Sequence, residues 1–344
     1  MHTRMMQWSR GLYLAGIVLA LVLVVPTDWF PFQLAKVAVF VLCLLVSCIL
    51  FVAGGGAREL LRSHGLKAAL LVALLPLAYV LSYFFSLDAS VGLVGYSGEA
   101  DTVLFATLAF VAYVLGFAHF RTLRTARLLL NVLGGALAVA ALFQIVSIVF
   151  GDAAIPLASF ADRSANLIGK WNDLGLLLGL LLTAVLARTQ FTEMAGRMRA
   201  ALVVLMAVLV AVLALVNFAL VWALVLAGAL AVALVSFLSA RSAAHEQGAA
   251  TSLRGTLPVL PLVFAALAIV FLVWGGTFNL AATGLFPVSS LEVRPSYQTT
   301  LDVVNAARVN APQRLLVGAG PNTFGEIWLG AKPAEVNQSQ FWNL

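Results

Sequence analysis

Two arginines, Arg163 and Arg294, and the polar groups around them are the residues best suited to chemistry in this chain. Asp162, Arg163, Asn166, Gly169, Lys170, Trp171, Asn172 and Asp173 crowd the entry to a long apolar run. Charges at such a boundary need partners or water, so the cluster reads either as a polar cavity or as a solvated loop anchored by Lys170 and Trp171. Further on, Arg294, Arg308 and Arg314 stand within one short segment. A guanidinium is a permanently charged planar fork, well matched to phosphate. Arg308 and Arg314 follow an amphipathic stretch, where a cation also favours a helix C-terminus; Arg294 precedes it and has no such role. The turn Gly318-Ala319-Gly320 precedes a helix start, and reads as a tight turn or as a set of backbone N–H groups facing an anion. His2, His64, His119 and His245 are scattered, and Cys43 and Cys48 lie on different faces of one apolar run. Neither set forms a metal site, no catalytic Ser or Cys motif is present, and no cofactor is expected.

The elements that must carry these residues are membrane helices. Of 344 residues, 62% are hydrophobic and 10% charged, and the mean hydropathy is +1.04. A soluble domain carries about 25% charged residues. Crossing the hydrocarbon takes roughly 20 apolar residues. Runs of that kind lie at about 11–27, 33–53, 68–85, 102–119, 128–150, 174–188, 200–216, 219–240 and 257–275. No charge occurs between Ala200 and Ala240. As one helix that stretch would be about 60 Å long, twice the bilayer, so it is a hairpin turning near Asn217. The first run follows Arg4 and Arg10 as a signal peptide would, but it lacks a small-residue cleavage pattern and is kept as a helix. The predicted fold is an all-α polytopic membrane protein: about nine transmembrane helices over 1–275, then a partly helical extracytoplasmic loop over 276–344. In that loop Pro295 to Val309 reads as an amphipathic helix, and a second short helix opens at Asn322 or Thr323.

Nine spans place alternate loops on opposite sides. One set, with the N-terminus, holds Arg4, Arg10, Arg58, Arg62, Lys67, Arg121, Arg124, Arg127, Arg188, Arg197, Arg199, Arg241 and Arg254. The short loops of the other set hold only Lys36, Arg163 and Lys170. The positive-inside rule therefore puts the N-terminus in the cytoplasm and the long loop outside. The net charge of +6 is then a record of topology, and nucleic acid is not an expected partner. Among the spans, Asn131, Gln144 and Asn217 are amides suited to bonding a neighbouring helix, and no ionisable side chain falls near mid-span. That absence counts against an ion-coupled transporter.

Taken together, these motifs resemble the O-antigen ligase and polymerase superfamily. Arg163 with Asn166, Gly169 and Asn172 looks like that family's Arg, Gly and Asn-x-Asn pattern at a helix mouth, although here the two asparagines are too far apart and only Asn172 carries over. Arg294-Pro-Ser-Tyr-Gln-Thr-Thr-Leu-Asp-Val and Leu316-Val-Gly-Ala-Gly-Pro-Asn-Thr-Phe look like its long periplasmic loop. The histidine that its ligases carry late in that loop has no counterpart after His245. The sequence stops at Leu344 inside the loop, so the expectation is a C-terminally truncated member. The resemblance implies a multi-pass enzyme of the bacterial plasma membrane, working in cell envelope polysaccharide or lipopolysaccharide synthesis. It would be a metal-independent glycosyltransferase that moves a glycan from an undecaprenyl-diphosphate-linked donor to a lipid, glycan or protein acceptor. It also implies Arg163 and Arg294 as catalytic, with Lys170, Asn172, Arg308 and Arg314 binding substrate. The alternatives are a flippase or transporter of a lipid-linked glycan and a membrane scaffold without catalysis.

Overall fold

The computed structural model describes residues 2–25, 32–62, 65–86, 88–95, 99–151, 163–246, 258–285, 297–309 and 314–338. Every described element is helical. The long helices are α1 (His2–Val22), α2 (Phe32–Ala53), α4 (Gly65–Phe84), α6 (Val103–His119), α7 (Leu123–Phe150), α8 (Trp171–Phe191), α9 (Gly196–Val216), α10 (Ala219–Glu246) and α11 (Val259–Leu285). Shorter ones are α3 (Gly56–Arg62), α5 (Ala89–Gly92), α12 (Tyr297–Val309), α13 (Arg314–Val317) and α14 (Phe324–Ala331), followed by a 3-10 turn at Ala334–Gln338. Among the described residues, 8 helices are long and apolar enough to cross a membrane. The ninth apolar helix, α6, has 17 residues and stands at the short limit of roughly 17–25 for a span. A helix satisfies every backbone polar group internally, which is what a chain with so little polar side-chain surface requires in lipid.

The chain forms two compact units, Met1–Val132 with Val293–Leu344, and Leu133–Glu292. In the first, α1 and α2 pair closely and α6 joins them, while α4 packs on α6 and receives α13. Tyr13, Leu44, Phe51 and Leu115 form the buried centre, and the Tyr13 hydroxyl donates to Ala112 O at 2.9 Å. At one end of this bundle Ser9 Oγ donates to Ser47 O (2.7 Å) and Ser47 Oγ donates to Ser9 O (2.8 Å). His119 Nε2 lies 2.9 Å from Ser9 Oγ. Ser9 Oγ also lies 3.1 Å from Ser47 Oγ, so the three side chains form one buried hydrogen-bonded cluster. By contrast, Leu70, Leu71, Leu74, Leu77 and Leu81 of α4 are all more than half exposed. A stripe of that size belongs against lipid.

In the second unit α8 is central, packing on α9 and α10, and α10 packs on α11. Leu174, Leu178, Leu182 and Leu186 recur every fourth residue of α8 and are almost wholly buried. Trp222 of α10 stacks on Phe271 of α11 with centroids 4.2 Å apart. The hairpin between α9 and α10 turns at Asn217, whose φ of 44° is left-handed, and its Nδ2 donates to Gly275 O of α11 at 2.6 Å. Asparagine tolerates that backbone region and here supplies the bond to the third helix as well.

Candidate functional site

Apart from Asp162, which lies outside the described residues, the cluster singled out in the sequence forms the N-terminal end of α8 in the second unit. α7 ends at Phe150, and Gly151 (φ 57°) turns the chain. Arg163 then returns over that turn: its Nη1 donates to Ile148 O at 3.2 Å, and a Cβ on Gly151 would sit 3.2 Å from its Nε. The last carbonyls of a helix lack intrahelical donors and carry partial negative charge, so a guanidinium there is favourable. Gln144 of α7 ties down the same residue, its Nε2 donating to Arg163 O at 2.8 Å. Arg163 is thus fixed by backbone and side chain together, and its five donors exceed what the helix end uses.

Asn166 builds the loop that follows. Its Oδ1 accepts from Ile168 N and Gly169 N, both at 2.9 Å, and its Nδ2 donates to Ser164 O and Gly169 O at 3.1 and 3.0 Å. All its capacity is taken up in shaping the backbone. Gly169, at φ 129°, completes the turn, Lys170 becomes the N-cap of α8, and Asp173 lies in the first turn, where the helix dipole favours an anion. Lys170 is exposed, whereas Trp171 and Asn172 are buried at 7% and 6% relative exposure. Among the described residues, two buried polar atoms here, Gln144 Oε1 and Trp171 Nε1, have no hydrogen-bond partner. An unpaired buried acceptor and donor at the end of an apolar bundle are costly, on the order of 1–3 kcal/mol each. The arrangement therefore presents a cation, a buried amide and polar groups with remaining capacity.

Arg294 lies outside the described residues. Arg308 is exposed in the last turn of α12, and Arg314 opens α13, its side chain lying outside the described set. The Gly318-Ala319-Gly320 turn packs on the end of α4 in the first unit. Gly318 and Gly320 have φ of 77° and 112° and Asn322 of 57°. Thr323 Oγ1 donates to Gly320 O at 2.8 Å, and Asn322 Nδ2 donates to Val91 O at 3.4 Å. Two features escaped sequence reasoning. One is the Ser9, Ser47 and His119 cluster, assembled from three helices with no local motif. The other is a cavity of about 390 Å³ beside the glycine turn; its only signal was Asp101, the last charge before an apolar run.

These observations define a class, an all-α polytopic membrane protein whose polar groups gather where helices end. Comparison with family models, curated proteins and solved structures gave no match.

Proposed function

We propose that this chain is a glycosyltransferase of the O-antigen ligase or polymerase type in the bacterial plasma membrane, with its N-terminus in the cytoplasm, nine spans and the long loop outside. It takes a glycan from an undecaprenyl-diphosphate-linked donor and joins it to a lipid, glycan or protein acceptor. The observation that carries the reading is the N-terminal end of α8, where Arg163 is held rigidly beside buried polar groups in an otherwise apolar bundle. Outside the cytoplasm the donor must arrive already activated, and a lipid diphosphate is both leaving group and membrane anchor. As the acceptor hydroxyl attacks the anomeric carbon with inversion, negative charge builds on the departing diphosphate. Fixed cations stabilise that charge without needing a metal. Arg163 and Arg294 fill this role; Lys170 and Asn172 position the diphosphate or first sugar, and Arg308 and Arg314 add positive charge at the loop.

The test is transfer from purified lipid-linked oligosaccharide by protein in vesicles. Removing one such donor costs about 10²–10³-fold in rate, so Arg163→Ala and Arg294→Ala should each lose that much while still inserting, with Arg308→Ala milder. Because Arg163 also closes α7, Arg163→Lys should keep the fold and recover only part of the rate. Near-normal transfer by both alanine variants would sink the assignment.

A further inference from the structure

We infer that the cavity beside the glycine turn is a binding site for a neutral saccharide. It lies within the first unit, between the end of α4, the start of α6 and the 316–324 turn, and measures about 390 Å³. That falls in the roughly 300–1,000 Å³ range of small-molecule sites. Its lining divides by chemistry. Tyr79, Ser82, Asp101 and Asn322 supply hydroxyl, carboxylate and amide groups, while Leu316 and Phe324 supply apolar surface. A sugar ring has the matching duality, hydroxyls at its edge and C–H bonds on its face. Asn322 gives one amide hydrogen to Val91 O, and its carbonyl and second hydrogen are not used there. Asp101 forms no ion pair among the described residues, and a carboxylate accepts hydroxyl hydrogens through strong charge-assisted bonds.

Charge decides the class of ligand. Among the described residues, no Lys, Arg or His lines the cavity. Beside Asp101 a phosphate or diphosphate would meet repulsion, with no cation among the described lining residues to offset it. The cavity is therefore unsuited to the donor's diphosphate and suited to the uncharged hydroxyls of a glycan. The walls are also preformed: Gly320 packs against Ser86 so closely that a Cβ would collide with it, and Thr323, 1% exposed, locks the turn. That this glycan is the acceptor rests on the transferase reading above; saccharide binding itself does not.

The experiment has two arms on the full chain in nanodiscs. In the first, the protein is applied to an immobilised panel of neutral, anionic and amino-bearing oligosaccharides. Retention on neutral members, weakened about tenfold or more in Asp101→Asn and in Phe324→Ala, is the expected result. Both variants should melt at the wild-type temperature. In the second arm, transfer is measured with acceptor and donor varied separately, and the same variants should raise KM for acceptor about tenfold and leave KM for donor unchanged. Failure to retain any neutral glycan, equal retention of anionic ones, or insensitivity to both substitutions overturns the site. Neutral-glycan binding without transfer leaves the site standing and removes the transferase reading. Transfer with unaltered acceptor KM in both variants shows that the bound glycan is not the acceptor and leaves the transferase reading intact, with the first arm alone deciding the site.

Discussion

A cation at the edge of a membrane helix can direct its charge at the protein or at a ligand. Lys36 Nζ donates to Leu21 O near the end of α1 at 3.2 Å, just as Arg163 reaches Ile148 O at the end of α7. Two of the three basic residues that break the charge asymmetry of the short loops thus sit on helix C-termini, where the dipole rewards them. The sequence displayed these charges but not their partners, because a capping contact depends on how far the chain travels before it returns. An anion shows the same local logic. Asp88 accepts from Ser90 N at 2.7 Å and Ser90 Oγ at 2.6 Å. The Ser90 hydroxyl first, and its amide next, hold the Asp88 carboxyl below its ordinary value of 3.8. Its contribution to the α5 turn is therefore present above 3.8 and is lost as pH falls through the lowered value. Carboxyl ¹³C shifts should titrate below 3.8 in the wild type and move back toward it in Ser90→Ala. A wild-type midpoint at or above 3.8 would contradict this.

At the scale of elements, the glycine turn shows why spacing alone left two readings open. Two glycines before a helix are compatible with anion binding or with close packing, and the arbiter is the opposite wall. At Gly320 that wall is Ser86, whose Cα would lie 2.7 Å from an added Cβ. At Gly318 the nearest atom, Ser82 Oγ, would be at an ordinary 3.4 Å. Both positions have positive φ, so alanine strains each, by on the order of 1–3 kcal/mol. Only at Gly320 must the turn also move off α4. With Cys43 and Cys48 replaced by Ala, a cysteine at the buried Thr323 should react with maleimide quickly in Gly320→Ala and slowly in Gly318→Ala. Equal reactivity would show that the close approach is unimportant. Asn217 was more legible: an uncharged run twice the bilayer must turn, and an asparagine tolerates the backbone that a turn needs. Its bond to Gly275 was hidden, since it lies 58 residues away. The short helices α3, α5 and α13 were hidden too, because four to seven residues carry no readable periodicity.

For the molecule as a whole, hydropathy located most of the long helices closely, because the bilayer imposes length and composition on each one separately; α1 starts at His2 rather than near 11, and α11 runs on to Leu285 rather than ending near 275. It left their pairing open, since lipid-facing and helix-facing residues are equally apolar and close packing leaves no compositional mark. The proposed orientation is testable by labelling spheroplasts with an impermeant maleimide, again without Cys43 and Cys48. Glu335→Cys should label directly, and Arg121→Cys and Glu193→Cys only after permeabilisation; the reverse pattern would invert the topology and remove the external site. The reciprocal serine bonds between α1 and α2 bear on how such a bundle is made. A nascent chain delivers these two helices to the membrane long before His119, which lies 110 residues beyond Ser9. Each serine hydroxyl already has the other's carbonyl as its acceptor, so the first hairpin can wait in lipid with those hydrogens occupied. When α6 arrives, His119 Nε2 adds a third hydrogen-bonding group beside Ser9 Oγ. The first two helices can thus assemble as a finished piece, and the third is recruited by what they leave over.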